Sequence, residues 1–110
     1  MPRPAVIVRT AGDVARAVQR AGSGPLVLLT APGAAAAAGP LFLKAMTEQA
    51  ATRADTLVVI DCDDDPGLAL LALRSGWRHV MLTGPAADQV ASAAASIGAR
   101  IHEPSEFPPS

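Results

Sequence analysis

Five short apolar runs, each ending in a polar residue, punctuate the chain: Ala5–Thr10, Leu26–Thr30, Leu57–Asp61, His79–Thr83 and Ala99–His102. The stretches between them are rich in alanine and of helical length. Strand and helix therefore alternate, an order that predicts a mainly parallel sheet with its connections packed against it. The third run, Leu57–Ile60, is apolar throughout, as expected of a central strand buried on both faces.

The punctuation sharpens this reading. Thr10-Ala-Gly-Asp13 has the form of a capping box, and Val14, Ala17, Val18 and Ala21 then recur on one face, with Arg16, Gln19 and Arg20 on the other. Gly22-Ser-Gly-Pro25 stops that helix. The second helix begins at Ala34–Ala38 and continues through Leu41, Phe42, Ala45, Met46 and Gln49, with a kink or restart expected at Gly39-Pro40. Pro66 opens the third, capped by Asp64 or Asp65 and closed by Gly76, and its Leu68, Leu70, Leu71 and Leu73 suggest burial on more than one side. The fourth starts after Thr83-Gly-Pro and carries Val90, Ala91, Ala94, Ala95 and Ile97 before Gly98.

The sum is a three-layer α/β sandwich: a five-stranded, mainly parallel sheet with four helices on both faces, of flavodoxin-like or Rossmann-like type. The strand order is expected to be 2-1-3-4-5 or 3-2-1-4-5. One domain over residues 1–104 and a flexible tail over 105–110 fit the length of 110 residues.

Composition narrows the partners. With a net charge of −1 and its arginines scattered, the chain offers no electrostatic patch for a nucleic-acid backbone. The single cysteine, Cys62, excludes an internal disulfide and the usual zinc clusters, and it fits a reducing cytoplasm. Residues 21–43 carry no charge, but Pro25, Pro32, Pro40 and several glycines make them strand, turn and buried helix rather than a membrane span. Met1-Pro-Arg-Pro lacks the apolar core of a secretory signal.

Ligands of open α/β sheets bind at the carboxyl ends of the strands. Thr10, Thr30, Asp61, Thr83 and His102 fall there, and so do the small-residue turns Leu29-Thr-Ala-Pro-Gly-Ala34 and Leu82-Thr-Gly-Pro-Ala-Ala87. Through Gly33 and Gly84 these turns expose amides able to cradle an anion, although neither matches a Walker A loop or a dinucleotide fingerprint. Asp61, Asp63, Asp64 and Asp65 crowd four carboxylates into five positions, which marks Asp61, Asp63 and Asp64 as candidate ligands for a divalent cation such as magnesium. Beside these charges Cys62 is a poor thiolate. His102 is the candidate acid or base, with Glu103, Asp61 or Thr83 in reach, whereas His79 sits at the opposite end of its strand.

From Leu57 to Pro104 the arrangement resembles the receiver domains of two-component signalling. The resemblance makes Asp61 the counterpart of the phosphoacceptor, Thr83 of the switch hydroxyl, and the proline after the last strand of the terminal loop. Arg9-Thr10 stands where that family has paired acidic ligands, Glu103 where it has a lysine, and the family's final helix has no counterpart. The function expected is therefore a cytoplasmic binding or interaction module holding a small anionic ligand or a protein partner at the carboxyl edge. The competing reading is a small metal-assisted enzyme built on the Asp61–Asp65 loop. Self-association into a homo-oligomer is expected through Ala34–Ala38 and the Ala91, Ala94, Ala95 series.

Overall fold

A computed structural model describes residues 4–108. The expectations for the amino terminus over 1–3 and for the last two tail residues lie outside them. The elements run β1 (Val6–Val8), α1 (Ala11–Ala21), β2 (Leu26–Thr30), α2 (Ala34–Ala38), α3 (Pro40–Ala51), β3 (Thr56–Asp61), α4 (Pro66–Arg74), β4 (His79–Met81), α5 (Ala87–Ala95) and β5 (Arg100–His102), followed by a 3-10 turn over Pro104–Glu106. All five strands are parallel and form one sheet.

The local signals act as their chemistry dictates. Thr10 Oγ1 accepts the Asp13 amide at 3.1 Å while the Asp13 carboxylate accepts the Thr10 amide at 3.1 Å, which completes the capping box of α1. Asp65, rather than Asp64, caps α4 by accepting the Leu68 amide at 3.0 Å. At Gly39 the backbone takes φ +89°, so of the kink or restart expected there the structure has the restart, with α2 and α3 separate, and the described residues form five α-helices where four were expected.

The α/β class and the parallel five-stranded sheet stand. The strand order does not: it is β1-β2-β3-β4-β5, neither of the two expected orders. Each strand pairs with its predecessor, and right-handed crossovers that always step the same way deliver every helix to the same face. The apolar clusters follow that geometry. Val8, Leu26, Leu28, Val58, Ile60 and Val80 face α1, α3, α4 and α5 through Val14, Ala17, Ala50, Leu43, Ala69, Ala72, Leu73, Val90 and Ala94. The other face carries Val27, Leu29, Leu57, Val59 and Met81, and the described residue that closes over it is Phe107, with no helix residue in the cluster. The second helical layer expected from the sequence is thus replaced by the chain segment after β5.

That segment, expected as a flexible tail from 105 onward, is packed at least as far as Phe107, which is 8% exposed. Its 3-10 turn is held by the Glu106 carboxylate, which accepts the Glu103 amide at 2.7 Å. The leucines of α4 are not buried all round: Leu73 lies in the core, but Leu70 and Leu71 are exposed. Among the described residues no helix is long and apolar enough to cross a membrane.

Candidate functional site

At the carboxyl edge the structure brings Thr30, Asp61, Thr83 and Gly84 together around the acidic loop, and the side chains of Thr30, Asp61 and Thr83 are hydrogen-bonded to the backbone of that loop. Thr30, fully buried, accepts the Asp61 amide through Oγ1 at 2.9 Å. Asp61 Oδ1 accepts the Asp63 amide at 2.9 Å, holding Asp63 at φ +52°, a left-handed conformation that aspartate tolerates. Both the amide and the hydroxyl of Thr83 donate to the Asp63 carbonyl, at 2.9 and 3.2 Å. Gly84, at φ +97°, lies against Asp64.

The electrostatics of this loop follow from burial. Loss of solvent pushes the Asp61 carboxyl up, and the Asp63 charge adds to the rise against the opposing hydrogen bond from the Asp63 amide. The same desolvation, reinforced by Asp61, Asp65 and Asp63, pushes the Cys62 thiol up to about 12. Cys62 is therefore inert, as expected, with burial rather than charge the leading cause. Among the described residues no three histidine, cysteine, aspartate or glutamate side chains are grouped so as to hold a metal ion.

Two other expected residues stand apart from this loop. Thr10 is committed to the cap of α1, and Gly33 to the left-handed turn before α2 at φ +79°. His102 departs most from expectation. Its partners are neither Glu103, Asp61 nor Thr83. His102 Nδ1 lies 3.1 Å from Glu106 Oε1, and its Nε2 lies 3.0 Å from Nδ1 of His79, the residue expected at the far end of its strand. Register explains the meeting. Met81 pairs with His102 and His79 with Arg100, so in these three-residue strands the two histidines are diagonal neighbours on the helix-free face. The spacing of His102 and Glu106 was the one sequence signal for this chain of groups, since a tight turn after β5 folds the carboxylate back onto the ring.

Arg100 adds an ion pair to Glu106 at 3.3 Å. Burial pushes the Glu106 carboxyl up, but the Glu103 amide, the His102 hydrogen bond and the charges of His102 and Arg100 outweigh it and hold the group below the usual carboxylate range. His102 is 3% exposed and stacks obliquely on Phe107, with ring centres 5.2 Å apart. The cluster is thus a Glu106–His102–His79 hydrogen-bonded chain running from the turn after β5 to the first residue of β4.

His79 also lines a groove of about 350 Å3 at the amino edge of the sheet, the end opposite the acidic loop. Val58 and Trp77 supply its apolar lining, and Lys44, Glu48 and Arg78 its charges. Three features place these groups. Trp77 Nε1 donates to the Pro40 carbonyl at 2.9 Å, tying the approach to β4 to the start of α3. Arg78 donates to the Ile97 carbonyl at 3.0 Å. The Lys44 stem lies across Gly76, where an added methyl would sit 2.9 Å from Lys44 Cε. Lys44 has Glu48 at 3.8 Å as its ion-pair partner, in an exposed setting where such a contact is weak.

A second groove, of about 430 Å3, runs along the β1 edge between Val6, Ile7 and the arginines of α1. No protein-family model, no curated protein and no solved structure matches the chain.

Proposed function

We propose that the protein is a binding module for a small anion, seated in the amino-edge groove rather than at the carboxyl edge of the sheet. The observation that carries this reading is that Lys44 and Arg78 line one concave surface, with Glu48 as the countercharge. Cationic side chains over an apolar floor are the chemistry that recognises phosphate, sulfate or a carboxylate-bearing metabolite. The carboxyl edge lends itself less to this role, because the Thr30 and Thr83 hydroxyls and the Asp61 carboxylate are bonded to the backbone of the acidic loop, whose carboxylates would repel an anion. The reading keeps the binding role in a reducing cytoplasm suggested by the lone Cys62 and moves its address.

Calorimetric titration with sodium sulfate tests it. Sulfate also stabilises proteins non-specifically by exclusion from their surface, so the criterion is a saturable isotherm. Saturable binding that is lost in Lys44→Ala, and retained in Thr83→Ala, is the expected result. No saturable isotherm, or one abolished instead by Thr83→Ala, overturns the assignment.

A second reading, docking of a protein partner, is favoured by Leu41 and Phe42 at the start of α3, which are 69% and 62% exposed. A double Leu41→Ser, Phe42→Ser variant checks it. If the wild type self-associates in light scattering and this variant does not, α3 is the docking element.

A further inference from the structure

A parallel sheet laid down in chain order has two open margins, and the first strand forms one of them. β1 pairs with β2 along one side, and no described strand lies along the other. The Val8 carbonyl accepts the Ala31 amide on the β2 side, and backbone groups alternate in direction from residue to residue along a strand. Ile7, one position back, therefore turns its N–H and C=O outward. The margin is also apolar, with Val6 39% and Ile7 43% exposed. Such an edge is a template for pairing with another chain.

Charge of one sign flanks it. The groove of about 430 Å3 beside β1 is lined by Arg9, Arg16 and Arg20 against the single carboxylate of Asp13, in a chain whose net charge is −1. Asp13 is already engaged, since it accepts the Arg9 and Thr10 amides and pairs with Arg16. Arg9 and Arg20 have no ion-pair partner among the described residues. Arg16 and Arg20 stand one turn apart on α1, on the helix side of the sheet. Val8 belongs to the helix-facing cluster, so the Ile7 side chain points to the opposite side.

We propose that this edge is a docking site for an acidic, extended segment of a partner protein, which adds to the sheet as a further strand beside β1. The site shares no lining residue with the anion groove. The backbone of the added segment bonds the Ile7 N–H and C=O, and its alternate side chains fall on opposite faces. Those on the helix side meet Arg16 and Arg20 and are carboxylates, whereas those on the other side continue the apolar surface of Ile7 and are aliphatic. A second copy of this chain fits the edge less well. Antiparallel pairing of β1 with itself keeps both helix layers on one face and turns Arg16 and Arg20 of each copy toward those of the other, so like charges meet. An acidic strand converts the same charges to attraction. Arginines that served only to keep the edge unpaired would leave it without affinity for any strand.

Fluorescence anisotropy with a labelled, end-capped peptide of alternating glutamate and valine tests the proposal, with a lysine and valine peptide of equal length as the control. Saturable binding of the first and none of the second is expected. Arg20→Glu, at an exposed position, should keep the wild-type circular dichroism and bind the glutamate peptide at least about fivefold more weakly, as an exposed attraction becomes a repulsion. Amide exchange followed by NMR reports the mode, and exchange of the Ile7 N–H should slow at least about tenfold when the peptide is saturating. Binding that leaves Ile7 exchange unchanged means contact through charge alone and overturns strand addition. No saturable binding of the glutamate peptide, or equal affinity for Arg20→Glu, overturns the site. Ile7 exchange that slows with protein concentration in the absence of peptide, together with a dimer in sedimentation, makes a second copy the occupant and overturns the acidic segment.

Discussion

Replacing Phe107 by alanine removes the one described side chain beyond β5 that closes the helix-free face of the sheet, where it packs with Val27, Leu29, Val59 and Met81. A phenylalanine buries roughly 200 Å2, and at about 25 cal/mol per Å2 full burial is worth about 5 kcal/mol. An extended reference chain overstates that burial by some 10–40%, which brings the expected loss to about 3–4 kcal/mol, in the range typical of Phe→Ala changes. Against a total stability of about 5–15 kcal/mol for a domain, this is a large fraction. Urea denaturation followed by circular dichroism measures it. With an m-value of about 2 kcal/mol/M, the midpoint should fall by about 1.5–2 M. A drop under about 0.5 M would mean that Phe107 lies on the sheet without supporting it, and the segment after β5 would revert to the tail the sequence suggested.

Three shorter predictions follow from other positions. Gly76→Ala forces a Cβ at φ +99° and displaces the Lys44 stem, so it should cost about 1 kcal/mol in urea titrations and weaken sulfate binding as well. Asp61 has its carboxyl raised by burial, so the native state favours its protonated form. Its stabilising share is complete below the ordinary carboxylate range and disappears as pH rises through the raised folded value. Asp61→Asn, which retains an oxygen for the Asp63 amide, should therefore melt higher than the wild type at neutral pH and lose that advantage on acidification, as thermal melts across pH can show. Cys62, buried with its thiol pushed up to about 12, should resist a disulfide reagent in native buffer and react at once in denaturant; rapid native labelling would show that the β3 end opens to solvent.

The elements were legible because their signals are local. Thr10 with Asp13, Pro66 after an aspartate, and the Gly39-Pro40 break each act within a single turn of chain, so spacing alone exposes them. Strand order was not legible, since an apolar run such as Leu57–Ile60 signals burial without naming the strands beside it. What decides among the candidate orders is the direction of each crossover, and no residue of the connections announces that. Once the order is sequential, the helix layer follows, and with it the exposed second face that Phe107 covers.

The site was legible in its residue types more than in its contacts. The polar ends of the strands do gather at the carboxyl edge, but there Thr30 accepts the Asp61 amide, Asp61 accepts the Asp63 amide and Thr83 donates to the Asp63 carbonyl. The His79–His102 contact depends on the register of β4 against β5, a quantity that two three-residue strands do not encode in a hydrophobic pattern. Nothing in the sequence marks Lys44, and its passage over Gly76 is what turns it toward the groove.

A sheet whose strands lie in chain order is assembled in the direction of synthesis. Each new strand finds its partner already in place as the previous one, so pairing proceeds by short closures rather than by long searches. Phe107, by contrast, leaves the ribosome after the last strand. Until it arrives, Val27, Leu29, Val59 and Met81 form a bare apolar strip on an otherwise finished sheet. The nascent chain therefore passes through a stage in which its framework is complete but one side is adhesive, and that interval is when a chaperone has something to hold.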